Sequence, residues 1–189
     1  MLSEKLKTHT AVNHLLLEKK LVTFMKQVKS AGEYATLLKL FYGYFGALEI
    51  SINAHLDSRF LPDYTLRRKS AALLDDLGSL NAGRPELARS DRLPAINSHL
   101  QSIGALYVIE GSTLGGKFIA KMLAGQIGAA DLQAFSFFQG YGEQSAVMWD
   151  VFKQAINKTH GKEDEAIIIE TANQTFLKFS DWFDLQQPA

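Results

Sequence analysis

The sequence contains no cysteine, and only 4 of its 189 residues are proline. Without cysteine there is no disulfide framework, no thiolate zinc site, no iron–sulfur cluster and no thiol nucleophile. A metal here has to be held by histidine or by carboxylates. A surplus of charge is missing too, since 20 basic residues offset 20 acidic ones. That balance argues against a general binder of nucleic acid or of an anionic membrane surface, which depends on a basic excess. Long apolar runs are absent. Ile103–Ile109 is among the longest and falls far short of the roughly 18 residues that span a bilayer. Residues Met1–His14 mix charged with apolar residues and lack a secretory core. The expectation is a soluble cytoplasmic protein with no nucleic-acid or membrane partner.

What is present is helical pattern. Hydrophobic residues make up 47% of the chain and aromatics 11%, enough at this length to fill one hydrophobic core. No proline precedes Pro62 and none lies between Pro94 and Pro188, which leaves room for long helices on both sides of a turn-rich segment. Leu17, Leu21, Phe24 and Val28 recur at helical spacing, as do Leu37, Leu38, Phe41, Phe45 and Leu48. Between them, Ser30 and Glu33 have the spacing of a capping box. Further helices are expected from about Leu66 to Leu77, from about Ala95 to Ala124 after Ser90 or Asp91 and Pro94, from Glu143 to about Asn157, and from about Glu163 to Phe183. Strand-like alternation is confined to Ala166–Ile169, which helix formers flank. The fold class expected is all-α, with residues 1–189 forming a single multi-helix domain.

Three groups of residues bear on chemistry. Lys7, Ala11, His14 and Glu18 fall on one stripe of the first helix. A histidine with a carboxylate one turn on suits a metal ligand whose free ring nitrogen is held by that carboxylate. The alternative is a solvated face carrying an ordinary helix pair. His9 lies about 140° around the helix from His14, so the two cannot chelate one metal. The second group is Gly104, Tyr107, Gly111 and Gly115, one face of a helical segment that also contains Gly116. Four glycines cost roughly 4 kcal/mol against alanine in a helix interior. They imply either close approach of a large flat molecule or close packing against another helix. The third group is Phe135–Gly142 with Trp149 and Phe152, either a pocket wall or a piece of core. No Glu-x-x-His, Walker loop, dinucleotide fingerprint or Gly-x-Ser-x-Gly elbow occurs.

In order and spacing these segments resemble the heme oxygenase family over about residues 3–183. Leu6–Thr10 with His14–Glu18 is similar to the family's proximal helix. Ala105–Gly116 is similar to its distal helix, closest to the bacterial branch associated with bacteriophytochromes, as is the segment from Phe137 to Phe152. The resemblance implies heme held between two helices as cofactor and substrate, with His14 as iron ligand and Glu18 orienting its ring. It also implies Lys7 and Tyr107 at the propionates, and Gly111, Ser112, Gly115 and Gly116 forming the catalytic distal surface. The implied products are biliverdin, carbon monoxide and ferrous iron. Electrons would come from a separate reductase or ferredoxin, and a bacteriophytochrome would be a candidate acceptor of biliverdin. Ser112 stands where mammalian-type members carry an aspartate that orders distal water. Where those members place two basic propionate partners on a late helix, this chain has Asp150 and Gln154, with Lys153 nearby. These departures motivate an alternative, a non-catalytic heme-binding or heme-delivery protein of the same fold. Helical thiamin-degrading enzymes use a cysteine nucleophile that this chain lacks. A purely structural bundle is the remaining reading.

Overall fold

The computed structural model describes residues 1–128, 133–158 and 160–187, and among these all regular structure is helical. The helices are α1 (Leu2–Met25), α2 (Ala31–His55), α3 (Ala71–Ser79), α4 (His99–Gly111), α5 (Thr113–Ile127), α6 (Ser136–Gln139), α7 (Ser145–Ile156) and α8 (Lys162–Leu185). Single 3-10 turns cover Tyr64–Leu66, Ser90–Arg92 and Gly142–Gln144. Among the described residues no helix is long and apolar enough to cross a membrane.

Helix α2 begins at the expected cap. Ser30 Oγ accepts from the Glu33 amide at 3.2 Å, and the Glu33 carboxylate accepts from the Lys29 amide at 2.7 Å. These bonds hold the Glu33 carboxyl below its ordinary range. Ala166–Ile169 lies inside α8, so the short alternation there is one turn of helix with Ile168 buried.

Two expected helices are corrected. The segment from Leu66 to Leu77 starts its helix only at Ala71. Arg67 is extended, at φ −76° and ψ 152°, with its side chain directed inward. The long helix expected over Ala95–Ala124 starts at His99, where Ser98 Oγ accepts from the Gln101 amide. It also breaks at Ser112. There the Ser112 hydroxyl donates to Ile109 O at 2.6 Å, and the Thr113 hydroxyl donates to Glu110 O at 2.7 Å. Such side-chain bonds compete with backbone amides for the same carbonyls, and so favour a helix end over its continuation.

Helix α8 is the spine. It packs along both α4 and α1, while α2 lies against α4 and α3. Buried phenols tie the layers together. Tyr34 donates to Ala134 O at 2.6 Å and Tyr44 to Thr175 O at 2.8 Å. Asp76, also buried, accepts from the Ser136 amide, the Ser136 hydroxyl and the Phe137 amide, and so caps α6 from α3. Gly104 is where α4 meets α8: an added Cβ would overlap Ile168 O and sit 2.9 Å from Thr171 Cβ. Gly116 does the same for α5 and α6, where an added Cβ would overlap Phe138 O.

Two outcomes follow from this packing. Gly104→Ala is expected to destabilise the fold by about 1–3 kcal/mol through overpacking, read by thermal or urea unfolding. Gly115→Ala, with no atom within 4 Å of its new methyl, should be neutral or stabilising by up to about 1 kcal/mol. Burial raises the phenols of Tyr34, Tyr44, Tyr64, Tyr107 and Tyr141 above their ordinary value. A group whose folded pKa exceeds its unfolded one contributes stability that is lost as pH rises past the unfolded value. Stability should therefore fall above about pH 10, with phenolate absorbance from these residues appearing together with unfolding.

Candidate functional site

The first helix presents Lys7, Ala11, His14 and Glu18 along one exposed flank, beside the stripe that packs on α8. The His14 side chain is 58% exposed, and its ring meets the Phe176 ring of α8 edge-on, with centroids 5.4 Å apart. Glu18 Oε2 stands 4.0 Å from His14 Nδ1. That is within electrostatic reach but too long for a hydrogen bond. Lys7 is exposed, and among the described residues it makes no ion pair.

The opposite wall comes from α4 and α5. Tyr107 is buried, its hydroxyl beside Thr10 of α1, so it bridges the two walls. The four glycines of this segment divide. Gly104 and Gly116 serve helix packing, as above. An added Cβ at Gly116 would run into the Phe138 carbonyl of α6. Gly111 and Gly115 stay open: an added Cβ at Gly115 meets nothing within 4 Å, and one at Gly111 meets only the edge of Trp149 at 3.8 Å. Phe118 is 78% exposed on the rim beyond Gly115. At the far end Gln126 Nε2 donates to Met25 O and Val28 O, joining α5 to the end of α1. The third sequence group is largely core. Phe135, Phe137, Phe138 and Phe152 are buried, and Trp149 alone reaches the glycine face.

A family model described as Heme oxygenase matches residues 1–185 of this chain. The chain belongs to the heme oxygenase family. Among solved structures, the Neisseria meningitidis heme oxygenase with NO and CO bound is similar, with a TM-score of 0.76 and 22% identity. The alignment covers 98% of this chain and 92% of that one. No curated protein matches.

The family's substrate fits the two walls. Heme iron takes an imidazole ligand, and His14 offers one that no other group among the described residues engages by a hydrogen bond. A macrocycle also needs side-chain-free backbone to lie against, and Gly111 and Gly115 are positions of that kind.

Behind the distal wall lies a buried polar network that the sequence reading did not single out. Arg67 Nη1 donates to Glu110 Oε2 at 2.6 Å and to Met148 O at 3.0 Å, and Nη2 donates to Asp63 at 2.9 Å. The Arg67 side chain is fully buried and that of Glu110 2% exposed. Tyr141 donates to both Glu110 oxygens at 3.1 Å and accepts from the Arg68 amide at 3.0 Å. Burial and the Glu110 charge push the Tyr141 phenol up to about 12. Arg68 Nη2 donates to Ile109 O at 3.0 Å and Ser112 Oγ at 2.9 Å, with its guanidinium 4.1 Å from the centre of the Phe137 ring. Burial lowers the Arg68 pKa to about 10, so it is still a cation at neutral pH. Its Nε has no hydrogen-bond partner among the described residues. Beside it a cavity of about 10 Å³, lined by Phe45, Glu49, Tyr64 and Glu110 among others, has room for one water.

The sequence did carry signals for this network. Glu110 is the one charged residue between Gln101 and Lys117, and the doublet Arg67-Arg68 follows a proline turn. Removing one partner leaves a buried charge unpaired. Arg67→Ala is therefore expected to cost about 3–5 kcal/mol in urea unfolding. The double replacement Arg67→Met with Glu110→Leu should recover most of that loss.

Proposed function

We propose that this chain opens heme to biliverdin with release of carbon monoxide and ferrous iron, consuming oxygen and electrons supplied by a separate reductase or ferredoxin. The observation that carries this reading is the unengaged His14 imidazole on α1 with the bare backbone of Gly111 and Gly115 on the distal helices. When bound, heme supplies both the oxygen-activating iron and the ring carbon that is oxidised.

The chain's own residues then divide the work. His14 holds the iron through one ring nitrogen. Glu18, 4.0 Å from Nδ1, orients the ring and strengthens it as a ligand by closing to hydrogen-bond distance. Lys7 supplies an unpaired cation for one propionate, and Tyr107 fixes the adjoining edge through its phenol. Gly111 and Gly115 admit the macrocycle face to the distal backbone. Ser112 acts indirectly. Its proton is directed to Ile109 O and its lone pair to Arg68, so it pins the break between α4 and α5. It presents no carboxyl group to the distal space. Gly116, the residue after Gly115, lets α5 seat on Phe138 O. The bilin product suits a bacteriophytochrome as acceptor, and a cytoplasmic setting suits both partners.

The second reading, a heme carrier without turnover, is motivated by the full commitment of the Ser112 hydroxyl and by Lys153, whose ammonium is 2.7 Å from Asp150. Hemin titration tests the shared premise. Wild type should give a one-to-one complex with a sharp Soret band, and His14→Ala should shift that band and weaken binding at least tenfold. An unchanged spectrum in His14→Ala overturns the ligand assignment. Ascorbate or reduced ferredoxin should convert the wild-type complex to a bilin; a stable complex with every donor would favour the carrier.

A further inference from the structure

A porphyrin disc in a slot has several in-plane orientations that differ little in energy, and the meso carbon attacked depends on which one is held. Charge alone gives little discrimination on the α7 side of this slot. Lys153 is the cation nearest the distal wall on that helix, and it stands 2.7 Å from Asp150, so the pair presents almost no net field. The side chain that does reach the wall from α7 is Trp149. Its Cη2 lies 3.8 Å and its Cζ3 4.0 Å from where a Gly111 Cβ would be, and its ring centroid is 5.5 Å from that of Tyr107. It therefore borders both distal residues on that side of the slot.

The indole is also held firmly. It stacks on Phe152 with centroids 5.6 Å apart and planes within 24°, and Phe152 is fully buried. Beneath Phe152 lies the Arg67 guanidinium, 6.0 Å from the ring centre, whose Nη1 also bonds Met148 O in the residue before Trp149. The buried network behind α4 thus extends to the backbone that sets the indole's position.

We propose that Trp149 is the specificity-determining wall of the slot: its rigid indole, rather than a second basic side chain, fixes the in-plane rotation of the bound macrocycle and so selects the carbon that is opened. This rests on the heme reading above. The outcome is a steric choice set at the Gly111 and Tyr107 edge, insensitive to salt.

Proton NMR of the ferric cyanide complex reports in-plane orientation through the heme methyl shifts, without turnover. Wild type and Trp149→Phe should show one dominant set of methyl signals. Trp149→Ala and Trp149→Leu should each show a second set with at least a fifth of the intensity, and bilin isomers in matching ratio on turnover. Using two truncations guards against loss of one variant through misfolding. A single wild-type set in the truncated variants overturns the proposal, as does a pattern changed by Lys153→Met and by neither truncation. Failure of wild type to bind hemin would instead overturn the heme reading itself.

Discussion

The buried ion pair between Arg67 and Glu110 is the constraint on which the rest of the distal architecture depends. Two charges removed from water are tolerable only when every lone pair and proton finds a partner. Here Asp63, Met148 O and Tyr141 complete the set. Meeting those demands draws the 63–70 segment inward, delays the start of α3 to Ala71, and brings Arg68 across the last turn of α4. At that turn the Ser112 and Thr113 hydroxyls have already taken carbonyls from the helix ladder, and Arg68 seals the end. The interruption between α4 and α5 is thus reinforced by a charged side chain from outside the helix.

That break decides what the glycines do. In one unbroken helix, Gly104, Gly111 and Gly115 would share a face and a role. With the break, Gly104 lets α8 approach and Gly116 lets α6 approach, while the Cβ positions of Gly111 and Gly115 stay largely open. The same residue type thereby serves helix packing at two positions and leaves open backbone at two others within thirteen residues. The proximal side needs less construction. His14 requires only an exposed position on α1 beside the α8 contact, with Phe176 against the ring edge and Glu18 a turn away.

Helix periodicity made most of the fold legible. The Ser30–Glu33 cap and the extent of α8 follow from local pattern, because their determinants lie within a few residues of each other. The proximal stripe was legible for the same reason. The break at Ser112 was not, since it depends on an arginine 44 positions earlier in the chain. The division of the glycines was equally hidden: whether a missing Cβ faces a carbonyl or open space is a property of the neighbouring helix. Trp149 and Phe152 read as one aromatic cluster, yet only the packing shows that Phe152 is fully buried beneath a partly buried Trp149.

The proposed activity requires that the flank of α1 and the open glycines of α4 and α5 be two sides of a single heme site. A crystal structure of the ferric heme complex tests it most directly. It should place a His14 ring nitrogen on the iron, the Gly111 and Gly115 backbone against the opposite face, and the Arg67–Glu110 pair intact behind it. Iron held by any other side chain, or heme lodged away from these glycines, for example in the groove beside Trp182 and Leu40, would contradict it.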